Sequence, residues 1–501
     1  MYISTRGNCR PVSAAKAIYL GMVPQGGLFV PEEIPKLSLE NIGRMEELDY
    51  PSLAAEILGL YLEDYSFQEI RECTAKAYGD NFFHEDIAPV TLLEDKAAIL
   101  ELWHGPTAAF KDMALQVMPH LLSEAIAKEG RGEEVLILVA TSGDTGKAAL
   151  EGFKNVPGIR IAVFYPDQGV SKVQELQMNT TDGDNTYVVA VEGNFDDCQS
   201  GVKKIFGDPE LNRILAEKKL QLSSANSINW GRLCPQIAYY FYSYLSLTQA
   251  GCLKLGEKIN VVVPTGNFGN ILAAWYAKEM GLPIGRLICA SNENKVLSDF
   301  FHSGVYDRRR EFHKTSSPSM DILISSNLER FLFEISGHDS ALTSGLMQDL
   351  QEEGVFSVSP ALLKKLQSVL WAGWADEKAG SKALKQTFDR YHYLVDTHTA
   401  VALAVYDQYR QETKDDALTI IDATASPFKF AKNVMEALGE EKAPEDLDEL
   451  LTLEALSAYT GLPVHPALKD LDKRPVRHNK VIKKEEMENF VRALAGGTFF
   501  Q

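Results

Sequence analysis

Short, continuously apolar runs, each ending in a turn and then a helix, limit most strongly what this chain can fold into. Glu134 to Ala140 leads into the turn Thr141 to Gly146 and a helix over Lys147 to Phe153. Ile159 to Tyr165 is followed by a helix around Ser171 to Asn179, and then by Tyr187 to Val191. Ile259 to Val263, Arg286 to Ala290 and Leu418 to Ala423 repeat the pattern. Strands apolar at most positions are buried on both faces, and alternation with helices puts them in parallel sheets. The expectation is an α/β chain with two open, mostly parallel sheets flanked by helices. Residues 1–95 read as a helical and loop-rich N-terminal extension, with helical spacing over Pro51 to Leu62 and Tyr65 to Tyr78. A division follows from this: 1–95, then 96–190 as a small α/β domain, then 191–501 as a large one with helical decoration. The charge-rich run Glu440 to Glu449 reads as a linker or solvated helix face, and Lys484 to Leu494 as an amphipathic helix.

Composition excludes several functions. The chain has 501 residues, enough for more than one domain. Its formal charge of −19 argues against nucleic acid or an anionic membrane as partner. An anionic ligand therefore needs a local cluster of donors. No stretch is apolar enough to span a bilayer, and Met1 to Gly7 shows no signal-peptide core. The six cysteines form no CxxC and read as reduced thiols in the cytoplasm. The ten histidines show no HExxH spacing, so no metal site is expected.

Ligands of open α/β sheets sit at the carboxyl ends of strands, and three strand ends carry unusual residues. Gly266, Asn267, Phe268, Gly269 and Asn270 follow one strand and open a helix over Ile271 to Met280. Glycines admit close approach, and a helix start offers free N–H groups, so the turn is either a phosphate cradle or an ordinary capped turn. Thr141, Ser142, Gly143, Asp144 and Thr145 crowd hydroxyls and a carboxylate into a second turn, suited to a carboxylate or phosphate or simply capped. Thr424 ends a third strand and places a hydroxyl there, as an ST-turn also would. Separately, Lys111 follows His104-Gly105-Pro106-Thr107, with Phe110 beside it. Thr107 reads as an N-cap, with helix continuing over Met113 to Met118. A held, partly desolvated lysine is what Schiff-base chemistry requires, whereas a lysine near a helix start is commonly a surface charge.

Together the lysine, the cradle, the polar turn and the strand-end hydroxyl make a pyridoxal phosphate (PLP) site. The run from His104 to Asp112 resembles the cofactor-lysine motif of the threonine synthase family. Ser4 to Gly7, Pro24 to Glu32, Ser142 to Gly146, Gly266 to Asn270, Ser317 to Ile322 and Ser326 to Arg330 are similar to the same family, in order along most of the chain.

The resemblance implies the tryptophan synthase β-like fold (PLP fold type II) and the conversion of O-phospho-L-homoserine and water to L-threonine and phosphate. It implies that Lys111 holds PLP and carries protons between Cα, Cβ and Cγ. Gly266 to Asn270 would bind the cofactor phosphate, and Thr424 would face the pyridine nitrogen. Candidates for the substrate are Thr141 to Thr145 together with Asn226, Ser227, Asn229, Arg232 and Lys429. A cytoplasmic monomer or homodimer is expected. Two departures stand out. Asp144 occupies a place where sister enzymes often carry asparagine, and Ala425-Ser426-Pro427-Phe428-Lys429-Phe430 replaces the family pattern Ala-His-Pro-Ala-Lys-Phe. They keep a second outcome open, a PLP-dependent phospho-lyase or dehydratase giving a 2-oxo acid. A PLP-binding scaffold without turnover is a third reading, disfavoured by the intact lysine and glycine turns.

Overall fold

A computed structural model describes residues 1–93, 96–130, 132–439 and 449–496. The apolar runs form two sheets. In the larger, six strands lie in the order Leu370–Trp374, Ile284–Ser291, Ile259–Pro264, Thr419–Ala423, Ala97–Glu101, Val90–Leu93. All neighbours are parallel except the edge pair Val90–Leu93 and Ala97–Glu101. The smaller sheet is parallel throughout, in the order Lys480–Lys483, Thr186–Glu192, Ile159–Pro166, Glu134–Ala140, Leu220–Ser223. Val135, Ile137, Val139, Val261 and Val263 are fully buried, as strands sandwiched between helices require.

The sheets do not follow the expected boundaries. Ala97–Glu101, placed in the small domain by sequence, pairs with Thr419–Ala423 in the larger sheet. Leu220–Ser223 and Lys480–Lys483, placed in the large domain, belong to the smaller sheet. The chain crosses between the sheets, and local periodicity carries no information about which distant strand completes a ladder.

The N-terminal extension has the expected helices at Tyr50–Tyr61 and Phe67–Ala77. It also forms an antiparallel pair, Tyr2–Ser4 with Phe29–Pro31. Arg330, fully buried, clamps this pair to the core. Its guanidinium donates to the Phe29 carbonyl at 2.9 Å, to the Ile228 carbonyl at 2.6 Å and to the Ser227 carbonyl at 3.1 Å. Next to it, Arg6 donates through two nitrogens to Glu329, at 2.9 and 2.8 Å. The run Glu440 to Glu449 lies outside the described residues, apart from Glu449. The C-terminal helix spans Met487–Gly496.

Candidate active site

Lys111 is placed by a strained turn docked on a strand end. Ala108 has a φ of 60°, unusual for a residue with a Cβ. Phe110 N–H donates to the Thr424 carbonyl at 2.8 Å, and Ser426 N–H donates to the Ala108 carbonyl at 3.0 Å. These bonds dock the turn that carries Lys111 on the segment Thr424 to Ser426. Thr107 is not the N-cap. The helix is only Asp112–Leu115, and Thr107 donates its N–H and hydroxyl to the Asp112 carboxylate, both at 2.8 Å. A second helix, Met118–Glu129, follows. The Pro-containing turn thus consumes the capping carboxylate, and Lys111 itself stands at the helix start.

The amine of Lys111 lies 3.1 Å from Ser319 Oγ and 3.4 Å from Asp144 Oδ2, and 4.9 Å above the Phe110 ring. Burial lowers its pKa, with Lys429 and Arg232 acting in the same direction and Asp144 opposing them. Asp144 also accepts from Lys429 at 2.7 Å and from Gln174 at 2.9 Å. Burial works against its charge, but the two lysines outweigh it and hold the carboxyl well below the ordinary carboxylate range. Lys429 is completely buried and donates as well to the Thr107 carbonyl at 3.1 Å.

The turn before Asp144 is built from Thr141, whose hydroxyl accepts the N–H groups of Gly143 and Gly146 at 3.0 and 2.9 Å. Gly143 has a φ of 129°, and a Cβ there would lie 2.4 Å from Gln174. Ser142 and Thr145 are half-buried, beside the start of the helix Asp144–Phe153. Among the polar-turn candidates these two are the most accessible to a ligand. Asn226 is half-buried, and its Oδ1 has no hydrogen-bond partner. Arg232, buried, donates to the Ala225 carbonyl at 2.7 Å. Asn229 is fully buried, and its amide is committed to Ile18, Ser224 and Gly231. It holds the loop together and offers a ligand nothing direct.

The cradle turns on Phe268, left-handed at φ 64°, with its ring packed on Phe331 at 5.3 Å and Phe301 at 5.9 Å. Strain of this kind persists where packing over-determines it. The helix is Gly269–Met280. Its first N–H groups lack partners within the helix, as in any α-helix, and they carry the positive end of the dipole. Gly266 is needed for close approach, since a Cβ there would sit 2.5 Å from the Ser319 carbonyl. Asn267 is exposed, and its carbonyl accepts from Asn327. Ser227 lies at the rim, accepting from Asn327 at 3.0 Å. The Asn270 side chain points away from the cradle into a buried cluster with Tyr239, Tyr240 and Asp422.

Ser319 was missed by sequence reasoning as a site residue, although its segment belonged to a matching block. Its carbonyl touches the cradle glycine, its hydroxyl meets Lys111, and its N–H donates to His398 Nε2 at 3.1 Å. His398 in turn bonds Asp396 through Nδ1 at 2.8 Å. Gln174 was missed as well.

The residues fit PLP: a buried amine with a lowered pKa, a helix start approached through Gly266, and a strand-end threonine whose carbonyl is bonded to the lysine turn. Comparison with known proteins agrees. A model described as "Pyridoxal-phosphate dependent enzyme" matches residues 99–422. "Threonine synthase N terminus" matches 1–78, and "Threonine synthase, C-terminal" matches 399–491. Threonine synthase from Schizosaccharomyces pombe is 35% identical, covering 94% of this chain and 97% of that one. The chain belongs to the threonine synthase family.

The structure of PLP-bound threonine synthase from Brucella melitensis superposes with a TM-score of 0.86 at 35% identity, covering 99% of both chains. Human threonine synthase-like 1 is 41% identical over 94% of this chain. The chain spans 65% of that relative's length. The expected fold, parallel sheets of the PLP-dependent type, is therefore the observed one. Among the described residues no helix is long and apolar enough to cross a membrane, and no group of three or more metal-ligating side chains occurs.

Proposed function

We propose that this chain converts O-phospho-L-homoserine and water to L-threonine and phosphate, with Lys111 as the lysine that carries PLP. The observation that carries the reading is the convergence on Ser319. One residue touches both the Lys111 amine, at 3.1 Å, and the cradle glycine Gly266. The proposed roles follow from position and charge. Gly266 to Asn270 and the following helix start hold the cofactor phosphate. Thr424, hydrogen-bonded to the lysine turn, faces the pyridine nitrogen with a neutral hydroxyl. When bound, PLP supplies the electron sink for carbanion chemistry on the substrate.

The chain's own residues supply the proton chemistry. Burial favours the neutral form of the Lys111 amine. In that form it takes a proton from substrate Cα, moves protons at Cβ and Cγ, and returns one at Cα. Asp144 and Ser319 hold the nitrogen in place while it does so. Ser142, Thr145 and the start of the helix Asp144–Phe153 bind the substrate carboxylate or phosphate, and Asn226, half-buried with an unpartnered Oδ1, adds a side chain. Arg232 and Lys429 act through the local field, since both are bonded to backbone or to Asp144. That field attracts an anionic substrate to a protein of net charge −19. The same charge supports a small amino-acid substrate over nucleic acid or an anionic membrane. The reading includes a cytoplasmic monomer or homodimer.

The test is incubation with O-phospho-L-homoserine and quantification of threonine, phosphate and 2-oxobutyrate. Threonine and phosphate in equal amounts are expected. 2-Oxobutyrate in place of threonine would replace the synthase reading with the lyase one. The purified protein should be yellow and lose that absorbance in Lys111→Ala. A wild type that stays colourless with added PLP would remove the cofactor assignment.

A further inference from the structure

Behind the cradle lies a buried cluster that the proposed chemistry does not use. Asn270, second residue of the helix Gly269–Met280, points its side chain toward Tyr239, Tyr240 and Asp422. We infer that Asp422 carries a proton in the folded chain and, through Tyr240, fixes Asn270 and with it the helix start that receives the phosphate.

The short oxygen pairs of the cluster fix how many protons it must hold. Tyr240 Oη lies 2.5 Å from Asn270 Oδ1 and 2.7 Å from Asp422 Oδ2. Two oxygen pairs at such distances need two hydrogens, and the tyrosine brings one. Tyr239 donates its own hydrogen to Asn270 Oδ1 at 2.5 Å, and Asn270 Nδ2 donates to Asp422 Oδ2 at 2.9 Å. With Asp422 ionised, one short oxygen pair holds no hydrogen. A proton on Asp422 Oδ2 completes the set. It donates to Tyr240 Oη, the Tyr240 hydrogen goes to Asn270 Oδ1, and Oδ2 still accepts from Asn270.

Exchanging the amide oxygen and nitrogen of Asn270 does not remove the demand. The amide oxygen would then face Asp422 Oδ2, and that pair would need the proton instead. The other carboxyl oxygen, Oδ1, is buried without a partner, a cost far smaller for a neutral acid than for a carboxylate.

The surroundings agree. Asp422 makes its hydrogen bonds with Tyr240 and Asn270, and no ion pair of the described residues includes it. On the helix Gln236–Gln249, Tyr239 and Tyr240 face it, and Arg232 and Tyr78 act on Tyr239. On the neighbouring strand, Leu100 lies opposite Asp422 and Glu101 opposite Ala423. Glu101 is taken by His104, Thr91 and Tyr393. The other flanking strand, Ile259–Pro264, pairs with Ile421 through the apolar Val262. Burial accordingly pushes the Asp422 carboxyl up to about 7.

Asp422 is a positioning residue. Once ionised it breaks the Tyr240–Asn270 bond and puts a negative charge behind a phosphate site. The positioning role rests on the cofactor assignment above; the protonation does not. The first experiment is infrared spectroscopy of the protein without PLP, over a pH series, for wild type and Asp422→Asn. We expect a protonated-carboxyl carbonyl band below about pH 7 that fades as pH rises through that value and is missing from the variant. A wild type without that band overturns the protonation.

The second is PLP binding followed by absorbance across the same range. Affinity in wild type should fall about tenfold as Asp422 ionises, the scale of one broken buried hydrogen bond, on top of whatever change the variant shows. Equal pH profiles in both proteins would overturn the positioning role. Tyr240→Phe keeps the carboxyl and removes the oxygen that receives its proton. Its carbonyl band should move to higher frequency, and an unmoved band would refute the proton path even if Asp422→Asn failed to fold. A wild type that binds no PLP at any pH would defeat the cofactor assignment, while the infrared band would still report the proton.

Discussion

Asp144 and Asp422 are both buried, both close to strand ends, and opposite in charge logic. Asp144 sits between Lys429 at 2.7 Å and Lys111 at 3.4 Å, and it stays ionised far into acid. Asp422 sits among Tyr240 and Asn270 without a cation, and burial raises its carboxyl to about 7. The first neighbours the Lys111 amine, and the second lies behind the turn Gly266 to Asn270 through its bond with Asn270. A permanent anion is tolerable where cations surround it and costly where they do not. The difference shows that partners, rather than depth, decide what a buried carboxyl does.

The largest effect should come from removing the anion at the cationic site. Asp144→Ala leaves the fully buried Lys429 without its counter-charge and Lys111 without its weaker one. Breaking a buried pair by deleting one member costs about 3–5 kcal/mol, and two stranded cations put this case at the upper end. Denaturant unfolding should record the loss. A change below about 1 kcal/mol, the range of an exposed pair, would mean that the Asp144 cluster is not a buried ionic one.

At Asp422 the comparison turns on pH. Its folded value, about 7, lies above the ordinary 3.8. The folded chain therefore binds the proton more tightly than the unfolded chain. Its stabilising contribution is complete below about pH 4 and is lost as pH rises to about 7, on the order of 4 kcal/mol in all. Asp144 has the reverse sign. Its depressed folded value contributes stability that is complete above the ordinary carboxylate range and is lost progressively as pH falls below it. Between pH 4 and 7 the stability of wild type should thus carry a downward component that Asp422→Asn lacks. Parallel stability curves for the two proteins would place an ionised carboxylate at Asp422 throughout.

The Asp144 side of this contrast could be seen in the sequence, for physical reasons; the Asp422 side could not. Buried parallel strands announce themselves by unbroken Val and Ile runs, and the turns that follow them by glycine and small polar residues. So Lys111, Thr424, Gly266 to Asn270 and the Asp144 turn could all be named, and the mismatch at Asp144 noticed. What brings them together was hidden. Ser319 lies 208 positions from Lys111 and in no strand. Sheet membership was hidden too, since Leu220–Ser223 and Lys480–Lys483 are short, partly polar edge strands. The Asn270 side chain illustrates a third limit. Its place at a helix start is visible in the sequence, but its direction depends on Tyr240 and Asp422, which come from other elements.

The smallest effect separates charge from hydrogen bonding at the Lys111 amine. Asp144 raises the pKa of that amine by its charge. Asp144→Asn, which keeps the shape, should lower it and move the pH profile of PLP capture toward acid. Ser319→Ala removes a neutral hydroxyl that accepts from the amine at 3.1 Å and donates to Asp144 Oδ2 at 3.4 Å. The backbone contacts of Ser319 with His398 and Gly266 do not use the hydroxyl, so the cradle is preserved. The loss should be about 1 kcal/mol in the positioning of the amine, read as a severalfold slower capture of PLP with nearly the wild-type pH profile. A charge acts over distance in a buried site, whereas a hydroxyl acts only through its bond. If Ser319→Ala moved the profile as far as Asp144→Asn, the hydroxyl would be governing the amine. The contrast between the two aspartates would then no longer rest on the Lys111–Asp144 charge pair.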